Sequence, residues 1–275
     1  MEFKLNYRGL IKEEVTIKVD GLTVIVGSND TGKSTIGKSL LLKVNSLKNS
    51  NIFPIPSSVI DLVLEEDEDI SNAIFIDTPS ILDIFSYIKA SMMFINEHRL
   101  DINLPYYKTD LIFKLSQDKY YDKNSQKIPK LKSSSKNRLI YNKIRDLIDG
   151  EVVYDEFKGD IFFKKSSLDN RLFKMEETSS GIKMFGLLQI LILNGEIRED
   201  TILILDEPEA HLHPKWQLQY SKILIKLIEN GVKVLLTSHN LHMIKAIKKF
   251  SYLNDLEDLT NFYLADDGFK SFNHS

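Results

Sequence analysis

The chain has 275 residues, of which 43% are hydrophobic and 27% charged, as in an ordinary soluble globular protein. It has no cysteine, which excludes disulfides, thiolate metal sites and cysteine nucleophiles. The net charge is −3, the start has no signal-peptide pattern, and no apolar run approaches the ~20 residues that span a bilayer, so we expect a cytoplasmic protein that does not contact membranes.

The first predicted elements are two strands, a glycine-rich loop and a helix. Residues 13–27, EEVTIKVDGLTVIVG, alternate in polarity and then become apolar, which predicts two strands joined at the turn Asp20-Gly21. We expect a helix from Gly32 to about Lys48 because apolar residues recur on one of its faces. A strand, a glycine loop and a helix in this order are the context of a phosphate-binding loop.

The middle of the chain is less regular. Residues 72–79, NAIFIDTP, predict a strand that ends at Pro79, and a helical stretch follows it. Residues 101–148 are rich in Lys, Ser, Asn and Tyr and include loop-like segments. We therefore interpret the stretch from about residue 60 to about residue 150 as a partly helical insertion.

The last part of the chain alternates between apolar strands and helices. A hairpin is predicted at residues 150–165, with its turn at Lys158-Gly159, and a helix follows that ends at Gly195. The remaining predicted elements are a buried strand at 201–208, a helix at 214–231, a strand at 232–240, a helix at 241–250 and a hairpin at 261–272. This pattern predicts a single α/β domain over residues 1–275, in which helices flank a mixed sheet.

Residues 27–34 fit the phosphate-loop pattern G-x-x-x-x-G-K-[ST]. The backbone N–H groups of such a loop would wrap the phosphates of a nucleotide, and Lys33 would reach the β- and γ-phosphates while Ser34 holds Mg²⁺. The predicted nucleotide-binding residues of the loop are Asn29, Asp30, Thr31, Gly32, Lys33, Ser34 and Thr35. The alternative is a glycine-rich turn with a solvated lysine, but the pattern arises by chance in only roughly 1% of chains of this length.

Two adjacent carboxylates, Asp206 and Glu207, follow the apolar run ILIL. The end of a buried parallel strand lies at the edge of the sheet where ligands of such folds bind. Asp206 would act on Mg²⁺ through its water shell, and Glu207 would polarise the attacking water as general base. The alternative is an acidic start of the next helix, stabilised by the helix dipole. Behind a phosphate loop we favour the functional interpretation.

His239 follows another apolar strand, in the segment LLTSHN. A histidine at this position could touch the γ-phosphate and report whether it is present. A single histidine is more often structural, so this interpretation depends on the motifs that accompany it.

Four segments in chain order, GSNDTGKST, TSSGIK, LILDEPEAHLHP and LLTSHN, resemble the motifs of the ABC-type ATPase superfamily. The branch that the sequence looks like is the soluble one that holds SMC, RecF and overcoming-lysogenization-defect (OLD) ATPases. The resemblance implies a P-loop NTPase with an ABC-ATPase-like head, with ATP and Mg²⁺ as cofactors and Lys33, Glu207 and His239 as catalytic residues. It also implies that Ser179 and Gly181 complete the nucleotide site of a facing subunit, so that two copies form a homodimer around ATP.

The segment EAHLHP is the part that crosses between subunits in relatives. This resemblance would place His213 near the dimer seam. The alternative is that His213 caps the turn before Pro214.

The sequence also departs from the family pattern. Thr178 and Ser180 replace the usual leucine and first glycine of the signature motif, and Asp77 stands near the place of a missing Q-loop glutamine. We therefore expect hydrolysis that is slow or depends on a partner.

The motifs do not show which process or partner uses the ATP-driven change of shape. The sequence has no heptads like those of SMC coiled coils, and about 36 residues follow His239, too few for the nuclease domain of OLD relatives. We expect an ATP-gated regulator of a separately encoded effector, a nuclease or toxin, in bacterial phage defence.

One alternative is a RecF- or SMC-like repair ATPase that binds DNA. Its support is the stretch at 119–145, where basic residues are interleaved with tyrosines. This stretch would otherwise be a solvated surface. Another is a non-hydrolysing scaffold that retains ATP.

Overall fold

The computed structural model describes residues 2–5, 15–48, 62–64, 70–98, 104–116, 135–265 and 269–271. The strands in this part of the chain are β1 (Glu2–Leu5), β2 (Val15–Lys18), β3 (Leu22–Val26), β4 (Leu62–Leu64), β5 (Asn72–Ile76), β6 (Gly150–Asp155), β7 (Asp160–Lys165), β8 (Arg171–Lys174), β9 (Thr201–Asp206), β10 (Lys233–Ser238), β11 (Thr260–Ala265) and β12 (Phe269–Ser271). The α-helices there are α1 (Lys33–Lys48), α2 (Phe85–His98), α3 (Tyr106–Ser116), α4 (Ser135–Ile148), α5 (Ser180–Leu193), α6 (Pro214–Glu229) and α7 (Leu241–Leu253).

The chain divides into two compact units. The first consists of Met1–Asp77 together with Arg198–Ser275, and the second is Thr78–Ile197. The second unit thus begins later and continues further than the insertion expected at about 60–150. Whether the two units act as a single domain stays a prediction.

A six-stranded sheet is the centre of the first unit, within the residues that the structure describes. Its strand order is β12-β11-β3-β10-β9-β5, in which β12 pairs antiparallel with β11 and the other neighbours are parallel. The register places Leu236 of β10 between Val24 of β3 and Leu205 of β9. The strands β3, β9 and β10 are buried over nearly their whole length, as is typical of parallel strands covered on both faces. The predicted mixed α/β sheet is confirmed.

The strands β3, β5, β9 and β10 are parallel, so they end at the same edge of this sheet. The glycine-rich loop follows β3, Asp77 follows β5 directly, and His239 follows β10. Asp206 is the last residue of β9, and Glu207 comes immediately after it. The topology therefore brings most of the predicted site residues to one edge, where ligands bind in open parallel sheets.

The helix α1 packs closely on the sheet. A Cβ atom at Gly37 would lie 2.9 Å from Ile204 Cγ2 and 3.0 Å from a ring carbon of Phe75, which is closer than ordinary van der Waals contact. Ile36 and Leu40 are completely buried on this side of the helix. The helix predicted from the phosphate loop to Lys48 is confirmed, and a glycine in its second turn sets its distance from the sheet.

A second, antiparallel sheet in the first unit has the order β2-β1-β4. The two strands predicted on either side of Asp20-Gly21 both form, but they do not pair with each other. β2 pairs with β1, whereas β3 pairs with β10 and β11. Gly21 has φ +83°, and a Cβ there would lie 2.7 Å from the carbonyl oxygen of Leu259. The turn therefore connects two sheets instead of closing a hairpin.

The second unit contains the antiparallel sheet β6-β7-β8 and the helices α2 to α5. The predicted hairpin β6–β7 is confirmed, and β8 extends it with a short strand that the sequence did not predict. Gln189 of α5 is fully buried, accepts a hydrogen bond from Val152 N at 2.7 Å, and donates one to Gly150 O at 3.2 Å. This amide ties α5 to the first strand of the sheet.

The helix α5 is apolar nearly throughout, and it is buried along almost its whole length. In the described part of the chain, none of the helices is long and apolar enough to cross a membrane. The apolar character of α5 is therefore explained by its position in the core of the second unit.

Candidate nucleotide site

The loop between β3 and α1 has a backbone that most residues could not adopt. Gly32 has φ +88° and Asp30 has φ +65°. A Cβ at Gly27 would lie 2.5 Å from the backbone carbonyl oxygen of Ala265, so a side chain at this position would collide with β11. Thr31 Oγ1 donates a hydrogen bond to Ser28 O at 3.0 Å and closes the loop on itself. The glycines of the phosphate-loop pattern are thus required by the local geometry.

Lys33 is buried at the start of α1, with 5% of its surface exposed. Its ammonium group donates hydrogen bonds to Gly27 O at 2.9 Å and Ser28 O at 2.5 Å. The same nitrogen lies 3.5 Å from Glu207 Oε1. The side chain therefore lies back over the loop, and it is one of the residues that line a cleft. This is inconsistent with the alternative of a solvated lysine.

A cleft of about 480 Å³ lies over the loop, a volume within the usual range of small-molecule sites. All of its lining residues belong to the first unit. They are Asn29, Asp30, Thr31, Gly32, Lys33, Ser34, Thr35, Asp77, Asp206, Glu207, Ala210 and His211. The structure thus brings together the phosphate loop, both predicted carboxylates and Asp77. Ala210 and His211 were not predicted to line the site.

Thr237, near the end of β10, connects the Asp206 carboxylate to the backbone of Glu207. Its hydroxyl donates to Asp206 Oδ1 at 2.6 Å and accepts the backbone N–H of Glu207 at 3.1 Å. That N–H also lies 3.1 Å from the carbonyl oxygen of Thr237. Glu207 has φ 50° and ψ 50°, a left-handed conformation that is uncommon outside glycine. Its strained backbone is held in place by these bonds and by the following Pro208.

Glu207, which lines the cleft, contacts His239, which is not itself a lining residue. His239 Nδ1 lies 3.2 Å from Glu207 Oε1, the same oxygen that faces Lys33. The His239 side chain is about half exposed, at 49%. The predicted general base and the predicted switch histidine are therefore in direct contact.

Glu209 was not predicted as a site residue. It is 4% exposed, and its Oε1 accepts hydrogen bonds from Ser238 Oγ at 2.5 Å and from the backbone N–H of His239 at 3.2 Å. Burial raises the pKa of the Glu209 carboxyl above its ordinary value, although these hydrogen bonds oppose the shift. The signal in the sequence was the second glutamate of DEPE, two residues after the predicted base, but its partners lie about 30 residues away.

The residues predicted to act on a facing subunit belong to the second unit. Ser179 is the N-cap of α5, where its hydroxyl accepts the N–H of Ile182 at 3.4 Å, and Gly181 lies in the first turn. His213 is the N-cap of α6, and its Nδ1 accepts the N–H of Lys215 at 3.3 Å. The capping alternative for His213 is thus what the structure contains, and its position at a dimer seam stays a prediction.

The basic stretch offered for DNA binding lies mostly outside the described residues. Within α4, Lys136, Lys143 and Arg145 are exposed, but Tyr141 is 7% exposed and its hydroxyl donates to Glu151 Oε2 at 2.6 Å. Burial, together with this hydrogen bond, raises the pKa of Tyr141. Tyr141 is therefore a core residue, and its interpretation as a base-stacking side chain is wrong.

The residues present fit Mg²⁺ bound together with a nucleotide. No cluster of three or more His, Cys, Asp or Glu side chains that could hold a metal occurs among the described residues. Mg²⁺ in phosphate-loop proteins needs no such cluster, because one or two protein oxygens and the nucleotide phosphates supply its ligands. Ser34 and Asp206 both line the cleft and are the residues that would hold it.

Comparisons with known proteins give a family and a fold. A family model described as "AAA domain, putative AbiEii toxin, Type IV TA system" matches residues 93–244, which is more than half of the chain. The Septu protein PtuA of Bacillus thuringiensis is 28% identical over 116 aligned residues, and the match covers 36% of this chain and 28% of that protein. The match thus spans less than a third of the length of this relative.

Several solved structures are similar over nearly the whole chain. The Smc head bound to the C-winged helix domain of ScpA covers 99% of this chain and 97% of its own, with a TM-score of 0.56 and 12% identity. The SMC head domain from Thermotoga maritima covers 100% and 98%, with a TM-score of 0.51 and 13% identity. At these identities the similarity establishes the fold. The predicted head fold, like that of SMC heads, is confirmed.

Proposed function

We propose, on the premise that this chain belongs to the AAA-domain family whose model it matches, that it binds ATP with Mg²⁺ and hydrolyses the ATP. The observation that carries the proposal is that the phosphate loop, Asp206 and Glu207 line one and the same cleft. A cleft with an inward-facing lysine and two carboxylates is suited to a nucleotide triphosphate and its metal ion.

Nucleotide binding would depend mainly on the loop and the start of α1. The N–H groups at a helix start carry a partial positive charge and bind phosphate. Lys33 adds a full charge that is already nearly desolvated, so little further desolvation is needed when it meets a phosphate. Phosphate oxygens are stronger partners than the carbonyls of Gly27 and Ser28 that Lys33 now contacts.

Hydrolysis would depend on Glu207, Asp206 and His239. ATP would supply the γ-phosphoryl group, and Mg²⁺ would neutralise part of the negative charge on the phosphates. Asp206 is oriented by Thr237 to hold the metal, and Glu207 would take a proton from the attacking water. Glu207 Oε1 contacts both Lys33 and His239, and it would become available as a base when these two side chains turn to the phosphates.

Two copies of the chain would close around ATP. The proposal rests on the family resemblance, in which Ser179 and Gly181 of one copy contact the nucleotide of the other. Ser179 and Gly181 are at the start of α5, a 14-residue helix whose first N–H groups are suited to phosphate. The altered signature motif and the absence of a Q-loop glutamine support turnover that is slow or partner-dependent.

The closed dimer would regulate a separately encoded effector, a nuclease or toxin, in phage defence. The match to a family that is described as an AbiEii toxin of a type IV TA system, and the partial similarity to the Septu protein PtuA, support this role. DNA binding by the basic stretch is a weaker alternative, since Tyr141 is not available for stacking. A scaffold that retains ATP without hydrolysis is the remaining alternative.

The test is a comparison of ATP binding and phosphate release in three proteins. The wild-type chain should bind ATP and release phosphate. Lys33→Ala should lose binding, because the phosphates lose their buried cation, while Glu207→Gln should bind ATP without turnover. Lys18→Ala, which removes an exposed lysine elsewhere on the first unit, is the matched control and should behave as wild type. Equal ATP binding by Lys33→Ala and wild type would contradict the proposed site, and tight binding without turnover by the wild type would support the scaffold.

A further inference from the structure

Glu209 is a buried carboxylate beside the proposed catalytic pair, and neither ATP nor Mg²⁺ accounts for it. Its Oε1 accepts two hydrogen bonds, whereas Oε2 is buried and has no hydrogen-bond partner among the described residues. A buried carboxylate with one unsatisfied oxygen costs stability relative to an apolar side chain. A contribution to folding alone therefore explains Glu209 poorly, and its contacts with Ser238 and His239 are the better guide to its role.

The backbone of Glu209 is held independently of its carboxylate. Its carbonyl oxygen accepts the N–H of Leu212 at 3.0 Å and the side-chain amide of Gln217 at 3.3 Å. Gln217 is buried in α6 and also donates to Leu212 O at 3.0 Å. The carboxylate thus extends from a segment that is anchored to α6, and its removal should leave that segment in place.

The partner of the carboxylate is the turn that carries His239. Ser238 Oγ donates to Glu209 and accepts the N–H of Asn240 at 3.1 Å. Asn240 in turn caps α7, accepting the N–H groups of His242 at 2.9 Å and Met243 at 3.1 Å. The backbone of His239 therefore lies between a capped helix on one side and the Glu209 carboxylate on the other.

We propose that Glu209 is a positioning residue that fixes the backbone of His239 so that the imidazole faces Glu207. Glu209 Oε1 lies 4.0 Å from His239 Nδ1, too far for a hydrogen bond, but 3.2 Å from the backbone N of His239. The carboxylate thus acts on the backbone, and the ring remains paired with Glu207 at 3.2 Å. The consequence for catalysis rests on the proposed ATP hydrolysis, whereas the structural role does not.

The structural role is tested without nucleotide, by the backbone amide signals of protein labelled with [15N]histidine. The chain has six histidines, so the spectrum is simple, and the signal of His239 is assigned by its absence in His239→Ala. Glu209→Ala should shift or broaden the His239 signal, because its N–H loses a carboxylate acceptor. Glu209→Gln keeps an acceptor oxygen and should leave the signal close to its wild-type position. Native positions of the signals from histidines remote from Glu209 show that each variant is folded.

The catalytic consequence is tested with the same variants and with the double variant Glu209→Ala/His239→Ala. Glu209→Ala should lower kcat by about 10- to 100-fold, as misplacement of a catalytic group does, with little change in the Kd for ATP. The double variant should be no slower than His239→Ala alone, because both changes remove the same contribution. Glu209→Gln should recover most of the lost kcat.

Two results would overturn the proposal. One is a His239 signal that does not move in a folded Glu209→Ala protein. The other is a double variant whose loss of kcat equals the product of the two single losses, which would mean that Glu209 acts independently of His239. If the wild-type chain releases no phosphate, the proposed hydrolysis is wrong, and the amide signal alone still decides whether Glu209 positions His239.

Discussion

Thr237 Oγ1 donates a hydrogen bond to Asp206 Oδ1 over 2.6 Å, between residues that are register partners on β10 and β9. The same hydroxyl accepts the backbone N–H of Glu207 at 3.1 Å. One fully buried side chain thus orients the proposed metal-binding carboxylate and the backbone of the proposed general base. The two functions of this carboxylate pair are therefore coupled through a residue on the neighbouring strand.

Thr237→Val should weaken the response to Mg²⁺ and destabilise the protein. Valine keeps the shape of threonine but leaves Asp206 Oδ1 without its donor, so we expect a several-fold higher Mg²⁺ concentration for half-maximal ATP hydrolysis. The free energy of unfolding should fall by about 1–2 kcal/mol because a buried hydrogen bond is lost. Mg²⁺ titration of ATP hydrolysis and urea denaturation measure the two effects. Thr237→Ser keeps the hydroxyl and is the control; an identical Mg²⁺ dependence in all three proteins would contradict the coupling.

The local elements were predictable because their signals are local. The helix α1, the strand β9 and the hairpin β6–β7 follow from apolar periodicity and from turn glycines within a few residues of each element. The phosphate loop and the Asp206–Glu207 pair were predictable for the same reason. In each case the residues that specify the structure are neighbours in the chain.

The contacts that depend on strand order were not predictable from the sequence. The strands on either side of Asp20-Gly21 lie in different sheets because β3 pairs with β10 and β11, which are more than 200 residues away. Glu209 meets Ser238 across 29 residues for a similar reason, since the parallel strands β9 and β10 end side by side. Tyr141 stands among basic residues in the sequence, which suggested an exposed side chain. It is buried instead, and its hydroxyl donates to Glu151, a contact that its neighbours in the chain do not indicate.

Gly186→Ala should destabilise the protein through a clash with one side chain. A Cβ at Gly186 would lie 2.3 Å from Val152 Cγ2, well inside van der Waals contact. Overpacking of this kind costs about 1–3 kcal/mol, and α5 cannot move away freely because Gln189 binds Val152 N and Gly150 O. Urea denaturation measures the change in the free energy of unfolding.

Val152→Ala supplies the matched test of this clash. The double variant Gly186→Ala/Val152→Ala removes the opposing methyl groups, so its loss of stability should be smaller than the sum of the two single losses. Gly159→Ala is the control for backbone strain. Gly159 has φ +65°, and an added Cβ there meets nothing within 4 Å, so any loss of stability comes from strain and not from a clash. Additive losses in the double variant would mean that the two side chains do not oppose each other.

The stability of the wild-type protein should respond to pH through Glu209. Burial raises the pKa of this carboxyl above its ordinary value of 4.5, so its contribution to stability is present below that value and is lost as pH rises through the raised pKa. Glu209→Gln does not titrate. The free energy of unfolding of wild type minus that of the variant should therefore fall over the pH range above the ordinary value of 4.5. Urea denaturation across this range measures it, with the exposed Glu229→Gln as control; a difference that rises with pH would mean that the bonds from Ser238 and His239 outweigh burial.

Glu207→Gln should form a dimer in the presence of ATP and Mg²⁺, measured as a doubling of molar mass by light scattering. The change removes the proposed base and its charge, so ATP is retained and the closed state accumulates. Adding Ser179→Arg to this variant should leave ATP binding intact and keep the mass monomeric, because the arginine would obstruct the contact that one copy makes with the nucleotide of the other. The single variant Glu207→Gln without nucleotide is the control for mass. If Glu207→Gln binds ATP and stays monomeric, two copies do not close on nucleotide by themselves. If the dimer forms equally well after Ser179→Arg is added, α5 is not part of the interface.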